Sequence, residues 1–535
     1  MAQQTTALRV LVSDALSETA VQIFRDRGIE VDYMPDLGKD KEKLAEIIGG
    51  YDGLAIRSAT KVTEKLLDGA ARLKVVARAG IGVDNVDIPA ASRKGVIVMN
   101  TPFGNSVTTA EHAIALMFAV ARQLPEASVS THAGKWEKNR FMGVELFNKT
   151  LGLIGAGNIG SIVADRALGL RMKIVAYDPF LSEERAEKIG VTKVELDELL
   201  RRADFISLHV PLTDKTRNIL SAENLAKTKP GVRIVNAARG GLIDEEALAA
   251  ALKSGHVAGA ALDVFATEPA TDSPLFNLPN VVVTPHLGAS TTEAQENVAL
   301  QVAEQMADYL LTGAVQNALN MPSVTAEEAA VMGPWIKLAA HLGAFVGQTT
   351  EEPIKAINIL YDGVAAGMNL SALNAAVIAG VMKAANPDVN MVSAPVVAKE
   401  RGIQIATTTQ DKAGVYDGYI KVTMVSGDRE RAIAGTVFSD HKPRFIQIRG
   451  INVDAEIGNH MMYTRNRDVP GVIGTLGVTL GGMGVNMANF TLGRVEGGGD
   501  AIAITYLDEP LREDVRQALL ATGKFEQVRA LHFEV

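Results

Sequence analysis

Short, almost wholly apolar runs punctuate the chain up to about residue 300: LRVLV (8–12), LKVVAR (73–78), VIVMN (96–100), TLGLIG (150–155), KIVAY (173–177), FISLHV (205–210), VRIVN (232–236) and VVVT (281–284). Helix-length amphipathic segments separate most of them. Strands apolar on both faces and alternating with helices are the pattern of parallel sheets covered on both sides. The predicted class is α/β, with doubly wound parallel sheets. Between 107 and 124, VTTAEHAIALMFAVARQL is apolar on most faces and follows Asn105-Ser106, so a buried helix with a capped start is predicted. Glu111, His112 and Arg122 interrupt it, which argues against a membrane span.

The texture changes near Ala318-Leu-Asn-Met-Pro322, where βα alternation gives way to an Ala/Gly-rich stretch. A domain boundary is placed there, and motifs are sparse to about residue 455. Beyond it come a strand, a turn at Val469-Pro-Gly471, a helix, a strand after Gly484, AIAITYLD (501–508), a helix over 510–521 and a last strand over 525–535. That βαββαβ order predicts a ferredoxin-like module standing as a separate C-terminal domain.

Composition narrows the chemistry. The 535 residues exceed what one core encloses and predict several domains. A net charge of −9 gives no general reason to expect nucleic acid or an anionic membrane as partner. Cysteine is absent, which excludes disulfides, thiolate nucleophiles and cysteine-held metals. No secretory pattern opens the chain, and no charge-free apolar run reaches the roughly 18 residues of a spanning helix, so a cytoplasmic location is expected.

Gly155-Ala-Gly157-Asn158-Ile159-Gly160 fits G-x-G-x-x-G in context: it follows an apolar strand, opens a helix, and leads to a second strand ending at Tyr177-Asp178. Gly155 suits the tight turn, Gly157 the approach of a pyrophosphate, and Gly160 the packing of helix on sheet. A carboxylate at Asp178 would accept ribose hydroxyls and repel a 2′-phosphate, favouring NAD over NADP.

Three further positions sit at strand ends on the same edge. Arg239 lies beside two glycines after VRIVN and offers a fork for a carboxylate. Asp263 and Glu268 share one loop, where one acid orients a histidine and the other stays near the cofactor. His286 ends VVVTP and supplies a base of near-neutral pKa. Together they complete a hydride-transfer site: His286 takes a hydroxyl proton, Glu268 fixes the imidazole, and Arg239 orients the substrate carboxylate.

GLIGAGNIG, VNAARGGLIDEEAL, GAALDVFATEP and TPHLGAST, in this order, resemble the motifs of the NAD-dependent D-2-hydroxyacid dehydrogenases. The resemblance implies a Rossmann-like nucleotide domain (104–289) inserted in a flavodoxin-like substrate domain (1–103 and 290–319). An α+β intervening domain (320–457) and an ACT regulatory domain (458–535) then follow. It implies a catalytic set of Arg239, Glu268 and His286. Cofactor contacts would come from Gly155, Gly157, Asn158, Ile159, Gly160, Asp178, Val210, Ala237, Ala238, Arg239, Asp263, His286, Gly288 and Ala289.

The long branch of the family acts on a phosphorylated hydroxy acid, and this chain resembles it around Arg57, Ser58, Arg78, Gly80, Asn105, Lys138 and Arg140, the implied substrate residues. Ile81 stands where the family commonly has threonine, so a side-chain hydroxyl contact to the cofactor is lost there. Asn466, Asp468 and Asn486 match the polar positions at which related sensor modules bind L-serine, and a homodimer or homotetramer is implied. Lys442, Arg444 and Arg449 read as a solvated basic edge or an anion site. No metal is called for. Two other readings stay open: a dehydrogenase for a smaller acid such as glyoxylate or D-lactate, and a binding protein that uses the dinucleotide fold as a sensor.

Overall fold

The computed structural model describes residues 7–350, 352–411, 414–495 and 499–534, which form four sheets. The first is parallel, in the order Glu30–Tyr33, Arg9–Val12, Gly53–Ile56, Val75–Arg78, Ile97–Met99. Alternation of side chains across each strand divides its apolar residues between two cores. Val10, Val12, Ala55 and Ala77 pack with Phe24, Val302 and Met306 on one face, while Leu11, Leu54, Ile56 and Val76 pack with Leu44 and Ile48 on the other. The helix Thr292–Thr312 supplies Val302 and Met306, so a segment distant in sequence completes this lobe.

The second sheet carries seven parallel strands: Val281–Val283, Val257–Leu262, Val232–Asn236, Phe205–Leu208, Thr150–Ile154, Lys173–Tyr177 and Thr192–Lys193. Strand order reverses between Thr150–Ile154 and Phe205–Leu208, the switch point where parallel sheets open a crevice. The expected buried helix is Ser106–Arg122; Gln123, at φ 53, ends it, and a second helix, Leu124–His132, follows. The predicted cap is not made. Asn105 precedes the helix with φ −126 and ψ 13 rather than extended backbone, and its Oδ1 is buried with no hydrogen-bond partner among the described residues.

The third sheet runs Gln404–Gln410, Ile354–Gly363, Gly418–Ser426, Arg429–Val437, Pro443–Ile448, Ile451–Glu456, antiparallel except for its first pair. The helices Ala326–Gln348 and Leu370–Lys383 contribute to its core. The fourth sheet has the order Met487–Arg494, Asp500–Leu507, His460–Arg467, Phe525–His532, the ferredoxin-like arrangement, with helices Val472–Gly482 and Glu513–Ala521. It does not stand apart as expected. Met462 faces its own two helices, but Met461, Tyr463, Ile502 and Leu531 enter the core of the third sheet beside Phe345 and Phe445. Among the described residues no helix is long and apolar enough to cross a membrane.

Candidate active site

The glycine loop is shaped by what it must avoid. Gly155 has φ +97, and a Cβ there would lie 2.5 Å from the His209 carbonyl and 2.7 Å from Val210 Cγ1. One at Gly160 would meet the Gly155 carbonyl at 2.2 Å, whereas Gly157 faces open space at the start of helix Asn158–Gly169. Asp178 braces the turn from the next strand: Ala156 and Phe180 donate their N–H groups to its carboxylate, each at 2.9 Å. An open, N–H-rich helix start beside a carboxylate fits a dinucleotide whose pyrophosphate meets the backbone and whose ribose meets Asp178.

His209, read only as part of a strand, lies beside this loop. Its Nε2 is 2.9 Å from Ser207 Oγ, and its Nδ1 is buried without a partner among the described residues. Burial pushes its pKa down to about 4, so the ring is neutral at physiological pH. The signal was in FISLHV, where a polar ring closes an apolar strand at the switch point.

His286 and Glu268 meet as expected. His286 Nδ1 lies 2.7 Å from Glu268 Oε2, and Glu268 Oε1 accepts the Phe265 N–H at 3.0 Å. With a proton on Nδ1 shared with the carboxylate, Nε2 is the lone pair left to act as base. His286 sits at φ 56, a conformation that a bulky side chain rarely adopts. Asp263 holds it there. The Asp263 carbonyl accepts the His286 N–H at 2.9 Å, and its carboxylate accepts Thr284 Oγ1 at 2.6 Å, Leu287 N–H at 2.7 Å and Gly288 N–H at 2.8 Å. Burial alone would raise the pKa of Asp263, but hydrogen bonds from His112, Thr284 and Leu287 outweigh it and keep the carboxyl ionised. The acid expected to stay near the cofactor thus directs both oxygens to the histidine loop. Thr109 Oγ1 adds a bond to the Gly288 carbonyl at 2.8 Å, from the helix Ser106–Arg122.

Across the crevice, the first sheet presents its strand ends. Arg57 donates its N–H to Asp14 at 2.6 Å and Nη1 to the Ala15 carbonyl at 3.2 Å, and Asn85 clamps the Arg57 and Thr60 carbonyls at 2.7 Å each. Asp14 is 2 % exposed. Sequence reasoning missed Asp14 and Asn85 as anchors, although Ser13-Asp14 at the end of LRVLV was a polar pair in the telling place. The Arg78 side chain makes no hydrogen bond or ion pair among the described residues, and burial, then the neighbouring Arg239, push its pKa down to about 10. It stays charged at neutral pH. Gly80 donates to Thr101 Oγ1 at 2.7 Å, and the Ile81 carbonyl accepts Asn100 Nδ2 at 2.7 Å. Arg239 ends the Val232–Asn236 side, and Asn236 pins its loop through the Arg239 carbonyl at 2.9 Å. A cavity of about 500 Å³ joins Ser58 of the first lobe to Glu268, Pro285 and His286 of the second.

Two further groups of predicted residues have local partners. Arg140 pairs with Glu137 at 3.0 Å and covers the Phe141 ring, and neither it nor Lys138 makes a polar contact with the cleft residues among those described. In the fourth sheet, Asn466 donates to the Arg467 carbonyl at 2.7 Å, Asp468 pairs with Arg494 at 3.0 Å, and Asn486 donates to Asp508 at 2.7 Å. No group of acids and histidines suited to a metal occurs among the described residues.

Comparison with known proteins meets this geometry from outside. Residues 114–288 match the D-isomer specific 2-hydroxyacid dehydrogenase NAD-binding domain, and residues 331–449 match the D-3-phosphoglycerate dehydrogenase intervening domain. A D-3-phosphoglycerate dehydrogenase from Synechocystis is 43% identical over 95% of this chain and 91% of its own length. One from Methanocaldococcus jannaschii is 40% identical over 98% of this chain and 100% of its own. A D-lactate dehydrogenase structure from Aquifex aeolicus, in complex with NAD and lactic acid, is 27% identical, with a TM-score of 0.52 over 59% of this chain and 100% of that one. Near-complete alignment with the first two, on a fold that carries the cofactor loop and the His286–Glu268 pair, decides the matter: the chain belongs to the D-3-phosphoglycerate dehydrogenases, within the D-isomer specific 2-hydroxyacid dehydrogenase family.

Proposed function

We propose that this enzyme oxidises D-3-phosphoglycerate to 3-phosphohydroxypyruvate with NAD, in the cytoplasm, as the first committed step towards L-serine. The observation that carries this reading is the His286–Glu268 pair at 2.7 Å, set opposite the cations Arg57 and Arg78 on the other lobe. Bound NAD supplies the hydride acceptor. His286 Nε2 takes the hydroxyl proton as the C–H bond breaks, and the Glu268 carboxylate stabilises the imidazolium that results. Arg239 binds the carboxylate and the developing carbonyl oxygen, and Arg57 and Arg78 bind the phosphate. Asn105, through its amide Nδ2, and the Gly80 loop flank the substrate carboxylate. Asp178 selects NAD over NADP through the ribose.

Residues 1–103 and 290–319 serve as the substrate lobe and 104–289 as the nucleotide lobe. The ferredoxin-like module acts as an ACT sensor for L-serine in a homodimer or homotetramer, a reading supported by its strand order, by Asn466 and Asp468 at its first turn and by Asn486 at the head of its second strand. An NADH-linked assay on phosphohydroxypyruvate, glyoxylate and pyruvate, with and without serine, tests substrate and regulation together. A kcat/KM at least about a hundredfold higher for the phosphorylated acid is expected, from charge-assisted phosphate contacts of roughly 1.5–3 kcal/mol each. Comparable values for all three acids would remove the substrate assignment, and a flat rate over a wide serine range would remove the sensor. In the same assay His286→Ala should lose about a thousandfold in kcat with NADH affinity retained; a near-native rate would remove the base.

A further inference from the structure

Three arginines converge on the cleft, and among the described residues one of their guanidinium groups, that of Arg239, has a carboxylate partner. Arg239 Nε donates to Asp84 Oδ2 at 3.1 Å, and Arg239 Nη1 donates to the Ala238 carbonyl at 2.7 Å. The pair spans the two lobes: Asp84 follows the strand Val75–Arg78 of the first sheet, and Arg239 follows Val232–Asn236 of the second. Two of the three guanidinium nitrogens are therefore tied, and Nη2 makes no hydrogen bond among the described residues. Gly82 leaves the room that this arrangement needs, since a Cβ there would stand 1.7 Å from Nη2.

Stability does not account for the pair. The Asp84 side chain is 72% exposed, and an ion pair this open adds little to folding. Its surroundings point to the ligand instead. Arg78, whose charge Asp84 also favours, is repelled by Arg239 and by Arg57, so an acid at this spot offsets a like-charged cluster until an anionic substrate arrives.

We propose that Asp84 is a positioning residue for the oxidation: it fixes the Arg239 fork across the lobe boundary so that Nη2 is presented to the substrate. This rests on the reading of Arg239 as the cation that meets the substrate. A double-mutant cycle on the full chain tests it, with steady-state reduction of phosphohydroxypyruvate and NADH affinity measured for Asp84→Ala, Asp84→Asn, Arg239→Lys and the Asp84→Ala/Arg239→Lys double variant. Asp84→Ala should lower kcat/KM about tenfold or more with NADH affinity unchanged, and Asp84→Asn, which keeps an oxygen for Nε, should recover part of kcat. In the Arg239→Lys background, where no Nε remains to be held, removing Asp84 should cost nothing further. Losses that multiply, or a native-like Asp84→Ala enzyme, overturn the proposal. A native-like Arg239→Lys enzyme instead removes the reading of Arg239, so the two failures are told apart.

Discussion

Arg78 in the first lobe and Arg444 in the third module are both largely enclosed arginines on β-strands, and they are treated in opposite ways. Arg444 is 19% exposed and is met by Asp440, Asp454 and Glu456 at 3.9, 3.5 and 2.8 Å, with its guanidinium 4.8 Å from the Phe438 ring centre. The Arg78 side chain has no hydrogen bond or ion pair among the described residues. A guanidinium ringed by acids is part of the scaffold; one kept in a low-dielectric crevice without them is unfavourable for the fold. The contrast also bears on Arg444 as a member of the anion site entertained for 442–449. Three acids already serve Arg444, so an incoming anion finds the position taken.

Substitution at the two arginines should break the pairing of effects in opposite senses. Arg78→Met is expected to raise the KM for phosphoglycerate about 10- to 100-fold, the worth of one or two charge-assisted hydrogen bonds, while the thermal midpoint holds or rises. Arg444→Met is expected to leave KM unchanged and to cost about 1–2 kcal/mol of stability, a partly exposed network being worth less than a dry one. Kinetics and thermal unfolding on both variants check this, and a matching loss of stability in the two would end the distinction. The smallest effect concerns His209. Its pKa in the fold, about 4, lies below the ordinary 6.5, so the unfolded chain binds more protons between those values. Stability from this residue is therefore full above pH 6.5 and lost as pH falls towards 4. His209→Gln should flatten the acid limb of a stability–pH profile, and an unchanged slope would show that the ring is not held neutral.

The parallel sheets were legible because strands buried on both faces are written as unbroken apolar runs, and the cofactor loop because its turn demands glycine at fixed spacing. The third sheet was not. Gln404–Gln410 is exposed along most of its length and carries no apolar alternation, so only its partner Ile354–Gly363 makes it a strand. The Ala/Gly-rich texture there has a packing cause instead. A Cβ at Gly343 would lie 2.1 Å from the Val377 carbonyl, and one at Gly380 2.1 Å from the Ala340 carbonyl, so two helices touch backbone to backbone. At the candidate site, Arg239, Glu268 and His286 stood out because each follows a strand on one edge. Asp84 could not, since it meets Arg239 across 155 residues of chain. Asn105 was assigned a cap from local sequence alone, and its backbone took a shape that puts the cap out of reach.

The core shared by the third and fourth sheets constrains how this molecule can be taken apart. Tyr463, Leu531 and Phe533 lie against Phe345 and Phe445, with ring centres between 5.5 and 5.7 Å apart where aromatic rings meet. Cutting the chain before 458 would uncover that apolar face and yield a sticky fragment rather than a self-contained remainder. The fourth-sheet module is better probed by exchanging single polar side chains around its first turn, and a recombination that transplants it should carry the helix Ala326–Gln348 along.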